Sequence, residues 1–274
     1  VISHILSLDA ICSTEHLTTS MLFPALSSHL KLLVVSDVDI QSAVRLTEKF
    51  VCNDAKAEFD ACIVCGPFIH RAITTPEEEA SCEGDMSSII AQFENIVCRV
   101  IYVPGDRDPT KTLSEQLHLT PNSVNLHARC LPLMDGVYIS GVAEKECNLS
   151  ESQTSADSDD EDIADVHIQT SSSAKIIEEV LTNGPSYAFP SSATPPTGIF
   201  VLNYKYSHTL NNFLFFQTEL LNRALVQLSI IPALEDENFE LPKQHNGMAI
   251  ASPKSLRRGG CYTVVDLELN NGSW

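Results

Sequence analysis

The fold is decided by Val100-Ile101-Tyr102-Val103-Pro104-Gly105-Asp106-Arg107-Asp108-Pro109, an apolar, β-rich run that ends abruptly in a glycine turn with two carboxylates. Two upstream runs have the same design, and they end at Ser36-Asp37-Val38-Asp39 and at Cys65-Gly66-Pro67. Functional groups of α/β proteins usually lie where strands end in tight polar loops. We therefore expect the three strand ends to form one shared site.

The charge balance argues against a nucleic-acid partner. The chain has 274 residues, of which 36 are acidic and 17 basic, for a formal net charge of −19. Such a charge repels phosphate backbones, so we expect no direct nucleic-acid footprint. No apolar run approaches the roughly 20 residues that span a bilayer, so we expect no membrane insertion. The opening residues 1–7 lack a basic region, which argues against a signal peptide.

The nine cysteines are scattered along the chain. Cys62 and Cys65 form a single CxxC, but it lies inside an apolar strand pattern without a second pair or a histidine cluster. This arrangement predicts buried structural thiols rather than a zinc site. Unpaired cysteines suit a reducing compartment, so we expect a cytoplasmic or nuclear location.

Composition and periodicity divide the chain into four segments. They are a leader or cap over 1–29, the first part of a layered α/β domain over 30–143, an acidic, Ser/Pro-rich disordered insertion over 144–197, and the second part of the domain over 198–270. The main elements expected are strands at 31–36, 61–65, 99–103, 124–126, 134–141, 198–202, 247–253 and 261–267, and helices at 40–50, 86–97 and 210–228. Within the insertion we expect one short helix, at 174–181.

The polar strand ends occur in a suggestive order. They are Ser36-Asp37-Val38-Asp39, Gly66-Pro67-Phe68-Ile69-His70-Arg71, Gly105-Asp106-Arg107-Asp108, Asn203-Tyr204-Lys205-Tyr206-Ser207-His208 and Ser252-Pro253-Lys254-Ser255-Leu256-Arg257-Arg258. A two-metal hydrolase needs Asp, His and Asn ligands at the ends of several strands, so that two cations share a hydroxide and hold a phosphate.

This succession resembles the calcineurin-like metallophosphoesterase family, whose motifs run D-x-H, G-D-x-x-D-R, G-N-H-D/E, a lone His after a strand, and G-H-x-H. The resemblance covers residues 30 to 270, interrupted by the acidic insertion. It implies a four-layer α/β/β/α sandwich, a hydrolase activity on phosphoesters, and a divalent metal, which would be Mn, Fe, Zn or Mg.

Carried over position by position, the resemblance implies an eroded site. Asp37 matches the first family Asp, and Asp39 stands where the family has His. Pro67 replaces the bridging Asp. His70 occupies the next ligand-like position, and Arg71 matches the Arg of the same family motif.

The later motifs are eroded as well. Asp106 stands for the Asn ligand, and Arg107 for the His that acts on the leaving group. Asn203 or Tyr204 falls where a His is expected, with His208 nearby, and no G-H-x-H precedes Ser252. The candidate metal ligands are therefore Asp37, Asp39, His70, Asp106 and His208, and the candidate catalytic residues are Arg107 and His208.

The loss of the bridging carboxylate decides between the resulting hypotheses, because two close cations then repel each other with less compensation. We expect a metallophosphoesterase-like protein that is weakly active or non-catalytic, either with a divalent metal or without one. The alternatives are a single-metal site of Asp37, Asp39, Asp106 and His208, and an active phosphoesterase with altered ligands. The partner is accordingly a phosphoester substrate or another protein.

A further alternative is a scaffold similar to the B-subunits of replicative DNA polymerases. Their third-motif loop also looks like Val103-Pro104-Gly105 followed by Asp108-Pro109. Those proteins carry an additional domain ahead of the phosphoesterase part, whereas about thirty residues precede Lys31 here.

The same residues also have purely structural interpretations. Asp37 and Asp39 could cap the helix at Ile40, and Asp106 and Asp108 a helix near 110. Arg107 could pair with one of these carboxylates, and Arg257-Arg258 could be two solvated cations in a turn. Ser158 precedes an acidic run that suits an acidophilic kinase, although solvated disorder explains that run equally well.

Overall fold

The computed structural model describes most of the region predicted to form the layered domain. The described residues are 5–6, 14–15, 22–23, 28–52, 59–109, 117–134, 136–143, 172–189, 196–203, 219–232, 244–245, 247–259 and 261–271. His208, most of the acidic insertion, and the region around Thr110 lie outside these ranges.

The strands follow the apolar runs of the sequence. In chain order they are β1 (Ile5–Leu6), β2 (Thr14–Glu15), β3 (Leu22–Phe23), β4 (Ser28–Ser36), β5 (Ala61–Cys65), β6 (Val100–Val103), β7 (Ser123–Asn125), β8 (Arg129–Met134), β9 (Val137–Ala143), β10 (Thr197–Asn203), β11 (Val226–Ile230), β12 (Gln244–His245), β13 (Met248–Ala251) and β14 (Thr263–Asn271). The helices that concern the site are α1 (Ile40–Cys52), α2 (Pro76–Glu94), α3 (Ser172–Ala188) and α4 (Leu256–Gly259).

Two six-stranded sheets contain nearly all of these strands. The first has the order β3-β14-β4-β5-β6-β7, and the second has the order β12-β13-β11-β10-β9-β8. Strands β4 to β7 run parallel to one another, as do β9, β10, β11 and β13. The carboxyl ends of β4, β5 and β6 therefore lie at one edge of the first sheet, as the three polar strand ends predict.

The sheets pack face to face and are covered by helices on their outer sides. Alternate residues of β4 divide between two cores: Leu32 and Val34 join a cluster that both sheets share, whereas Leu33 and Val35 pack with α1 and α2. A third cluster lies between the second sheet and α3, and it includes Phe200. The layers are thus helix, sheet, sheet and helix, and the predicted four-layer α/β/β/α class is confirmed.

The CxxC pair is divided between two of these cores. Cys62 lies in the cluster on the helix side of the first sheet, and Cys65 lies in the cluster between the sheets. Both are buried free thiols. The prediction of structural cysteines is confirmed, because neighbouring core layers and not a metal account for both side chains.

Helix α2 starts ten residues before its predicted start at 86. Pro76 occupies its first turn, and Thr75 caps it: the Thr75 hydroxyl accepts the Glu78 N–H at 3.2 Å, and the Glu78 carboxylate accepts the Thr75 N–H at 3.2 Å. Such a reciprocal capping box satisfies two backbone donors that a helix otherwise leaves free. The acidic run after Pro76 is therefore the first turn of the helix.

Other predicted elements also differ from the structure. Residues 226–228, predicted as the end of a helix, begin strand β11, since Leu228 and Ile230 of this strand belong to the core between the sheets. The strand predicted over 134–141 is a hairpin of β8 and β9, with Gly136 at a φ of 74° in the turn. The short helix predicted at 174–181 extends from Ser172 to Ala188 as α3. None of the helices in the described part is long and apolar enough to cross a membrane.

Candidate functional site

Three loops meet at the carboxyl edge of the first sheet. The N–H of Asp37, just after β4, donates to the Cys65 carbonyl at 3.0 Å, and the N–H of Gly66, just after β5, donates to the Val103 carbonyl at 2.8 Å. Each loop is thus bonded to the end of the next strand. The expectation that the strand ends form one contiguous surface is met.

The loop that follows β13 reaches this edge from the second sheet. The Ser36 hydroxyl lies 3.1 Å from the Pro253 carbonyl oxygen and 3.0 Å from that of Lys254, and Ser36 forms an isolated parallel bridge with Ser255. These contacts place Ser255 and the two arginines of α4 directly above the end of β4.

Asp37 is the centre of an ion cluster. Its side chain is buried, and the Ser255 hydroxyl donates to Oδ2 at 2.5 Å. Arg257 Nε lies 3.4 Å from Oδ1, and Arg258 Nε lies 3.9 Å from Oδ2. His70 Nδ1 lies 3.5 Å from Oδ1. Both carboxylate oxygens of Asp37 therefore face donors or cations of the chain itself.

The arginine pair corrects one structural interpretation of the sequence. Arg257 and Arg258 are not simply solvated cations in a turn, because both guanidiniums face the buried Asp37. The backbone N–H of Arg257 also donates to the backbone carbonyl of Asp37 at 3.0 Å. Arg107, the arginine expected to pair with a carboxylate, is exposed, and no ion pair joins it to a described residue.

His70 stands beside this cluster, where its surroundings disfavour the charged imidazole. Burial lowers its pKa below the ordinary value of 6.5, and the Arg257 charge lowers it further, against the raising effect of Asp37. Its Nε2 atom is buried and has no hydrogen-bond partner among the described residues.

Asp39 caps helix α1, as one of the structural interpretations predicts. Its Oδ1 accepts the Ser42 N–H at 2.7 Å, and its own N–H donates to the Ser42 hydroxyl at 3.1 Å. Burial acts to raise the pKa of Asp39, but hydrogen bonding of its carboxylate to the Ser42 N–H and hydroxyl, together with His70 and Arg257, lowers the pKa below its ordinary value of 3.8. The cap therefore accounts for the side chain without a metal.

Asp108 holds two loops together at the same edge. It is buried, and its carboxylate accepts the N–H groups of Phe68 at 2.8 Å, Ile69 at 3.0 Å and Gly105 at 2.6 Å. Burial raises its pKa to about 7, against the lowering effect of these three hydrogen bonds. Sequence reasoning missed this role. The available signal was an Asp three residues after a turn glycine, a spacing at which Asp commonly bonds to backbone N–H groups.

The two loops that Asp108 joins approach too closely for side chains at their glycines. A Cβ on Gly66 would lie 2.4 Å from Asp108 Oδ2 and 2.4 Å from the Gly105 nitrogen. A Cβ on Gly105 would lie 2.7 Å from both Cα and N of Pro67. The Gly66–Pro67 peptide bond is cis. Backbone therefore fills the space beside Pro67.

Asn203 connects the second sheet to these loops. Its Nδ2 lies 3.2 Å from the Gly66 carbonyl oxygen, 3.1 Å from that of Val103 and 2.9 Å from that of Pro104. The side chain is buried at the end of β10. Of the two positions at which the resemblance places a histidine ligand, Asn203 thus holds an amide that ties the two sheets together, and Tyr204 lies outside the described residues.

The described residues do not fit a two-metal site. Among them there is no group of three or more His, Cys, Asp or Glu side chains arranged to hold a metal ion. Asp37 and His70 are adjacent, but Asp37 is already paired with Arg257 and Ser255. Asp106 is half-buried and engages in an interaction of its own. Since His208 lies outside the described residues, the ligand set that includes it stays a prediction.

Comparison with known proteins gives few matches. No family model matches the chain, and no curated protein matches it. Similar solved structures include TT1561 of Thermus thermophilus, with 13% identity, a TM-score of 0.47, and coverage of 85% of this chain and 92% of that chain. GAP50, the anchor in the inner membrane complex of Plasmodium, has 14% identity, a TM-score of 0.42, and coverage of 82% of this chain and 71% of that chain. These values describe a general likeness in arrangement, and no function is assigned from them.

Proposed function

We propose that this chain is a metallophosphoesterase-like protein that has lost its two-metal chemistry and acts without catalysis, as a scaffold for a protein partner. The pairing of Asp37 carries the proposal. A metal ligand must offer carboxylate oxygens to the cation, whereas both Asp37 oxygens face Ser255, Arg257, Arg258 and His70. Two guanidiniums beside a carboxylate also repel a divalent cation.

Two more positions support the proposal through the family resemblance. Pro67 stands where the family has its bridging Asp, and it has no side-chain oxygen with which to bridge two cations. Asn203 is one of the two positions, with Tyr204, where a His ligand is expected, and its amide nitrogen is directed to three backbone carbonyls. Both positions contribute to the structure of the loops without providing a metal ligand.

The test measures metal binding and turnover in parallel. The purified protein is loaded with Mn²⁺, desalted and analysed for bound metal, and hydrolysis of bis-p-nitrophenyl phosphate is followed with and without Mn²⁺. We expect no stoichiometric metal and no metal-dependent hydrolysis. Hydrolysis that requires Mn²⁺ and is abolished by Asp37→Ala would overturn the proposal in favour of an active phosphoesterase with altered ligands.

A matched control separates loss of a ligand from general damage. Asp85→Ala removes an exposed carboxylate that pairs with Arg71 at 3.0 Å and is not among the described partners of Asp37. Metal-dependent hydrolysis that is lost equally in Asp85→Ala and Asp37→Ala reflects general damage to the fold, and hydrolysis that neither variant changes comes from a contaminant.

A further inference from the structure

The arginine pair at the carboxyl edge has donors that the fold does not use. Arg257 and Arg258 approach Asp37 through Nε, and no described residue pairs with the terminal guanidinium nitrogens of either side chain. The two side chains are 35% and 47% exposed. Each guanidinium is therefore anchored through Nε, and its outer nitrogens have no partner in the part of the chain that the structure describes.

The position of the pair makes it unusual in this chain. The formal net charge is −19, yet Lys254, Arg257 and Arg258 lie together in the five residues that follow Pro253. The two carboxylates nearest the pair are both engaged, because Asp37 accepts from Ser255 and Asp39 accepts from the Ser42 N–H. Oxyanions are the ligands that two adjacent guanidiniums bind best, through paired N–H···O contacts.

We propose that Arg257 and Arg258 form a metal-independent binding site for a phosphate group. This inference rests on the proposed function, since it requires that Asp37 orients arginines instead of holding a metal. The buried carboxylate fixes the two Nε atoms, and the outer nitrogens bind the oxygens of the ligand. Lys254, exposed two residues before Leu256, adds a third positive charge to the same loop.

The site makes a prediction opposite to that of a metal centre. If a metal held by Asp37 bound the phosphate, Asp37→Asn would abolish binding. In a metal-free arginine site, the same change removes a negative charge beside the guanidiniums, while the amide oxygen that replaces Oδ2 still accepts from Ser255 and still faces Arg258 Nε. We then expect Asp37→Asn to tighten phosphate binding by about threefold to tenfold, the size of one screened charge interaction near the surface.

Isothermal titration calorimetry at fixed ionic strength, in the presence of EDTA, measures this binding. The probes are inorganic phosphate and O-phosphoserine, and saturable binding of either supports the site. Comparing their affinities distinguishes a free ion from a phosphomonoester. We expect Arg258→Gln to weaken binding by about tenfold, because it removes charge-assisted hydrogen bonds. Arg223→Gln is the matched control, since it removes an exposed arginine that pairs with Glu219 elsewhere on the surface.

A second variant guards against misfolding of Asp37→Asn. Asp39→Asn also removes a carboxylate close to Arg257, and Asn caps helices as well as Asp, so α1 keeps its cap. It is expected to tighten binding in the same direction.

The outcomes separate the two proposals. No saturable phosphate binding, or equal weakening by Arg258→Gln and Arg223→Gln, overturns the phosphate site and leaves the non-catalytic scaffold intact. Phosphate binding that appears only after Mn²⁺ is added and disappears in Asp37→Asn overturns both.

Discussion

Replacing Asn203 tests whether one amide fastens the second sheet to the loops of the first. Its Nδ2 lies within hydrogen-bond distance of the carbonyl oxygens of Gly66, Val103 and Pro104. The Val103 oxygen also accepts the Gly66 N–H, so it keeps a donor when the amide is removed. Asn203→Ala therefore leaves two buried carbonyl groups, those of Gly66 and Pro104, without this donor.

The expected loss follows from these two groups. A buried polar group left without its partner costs about 1–3 kcal/mol, so two of them give a loss of about 2–6 kcal/mol in the free energy of unfolding. That is a large part of the roughly 5–15 kcal/mol that stabilises a typical domain. Urea denaturation measures the loss as a lower midpoint at an unchanged slope.

Asn203→Asp sharpens the test. It keeps the shape of the side chain but places an acceptor against three carbonyl oxygens. No cation among the described residues pairs with a carboxylate at this position, so the introduced carboxyl group should take up a proton on folding. The variant should therefore lose more stability at pH 8 than at pH 5. Asn222→Ala, at an exposed position, is the control and should change stability by less than about 0.5 kcal/mol. A loss for Asn203→Ala no larger than that of the control would refute the reasoning.

Three further predictions concern packing and pH. Gly105→Ala should destabilise the fold by at least about 2 kcal/mol, because its Cβ meets the Pro67 backbone. Gly84→Ala lies in α2 and its Cβ has nothing within 4 Å, so it should stabilise the fold by about 0.5–1 kcal/mol. Thermal melts of both variants measure this contrast, and equal effects would contradict it. Burial lowers the pKa of His127 to about 4, and its Nδ1 accepts the Ala143 N–H. The free energy of unfolding should therefore fall by up to about 3 kcal/mol as the pH falls from 6.5 towards 4. A His127→Gln variant with the same pH dependence would show that His127 is not its cause. The pKa of Asp108 is raised from 3.8 to about 7, so its contribution to the free energy of unfolding is full below pH 3.8 and is lost as the pH rises through 7. Across this range, the free energy of unfolding of Asp108→Asn should decline less steeply than that of the unchanged protein. An equal decline would show that another group titrates.

The strands and the layers could be predicted from the sequence because their signals are local. Five consecutive buried residues in β5 and four in β6 follow from apolar runs bounded by glycine turns. Strand β11 was missed because Val226, Leu228 and Ile230 follow directly on a helical pattern, and only their place in the core between the sheets decides the structure. Helix α2 was underestimated because its acidic first turn resembles a loop until the cap at Thr75 is considered.

The site could be located from the sequence, but its pairing could not. The loops after β4, β5 and β6 were identified because each ends an apolar run in a polar turn. The partners of Asp37 come from Ser255 and Arg257, which lie 218 and 220 residues away, and no local pattern indicates such a contact. The same is true of Asn203, whose three acceptors lie at least 99 residues away.

The pairing of Asp37 shows how side chains of the chain itself compensate a buried carboxylate at this edge. A carboxylate buried at the end of a strand is costly unless a positive charge or several hydrogen bonds compensate it. A divalent cation can supply that compensation, and so can arginines, which are always charged and are less strongly hydrated than ammonium groups. Here the loop after β13 supplies Ser255, Arg257 and Arg258 to the same carboxylate. The Asp can then be retained for the stability of the edge, since removing it would leave two guanidiniums facing each other without their shared counter-charge.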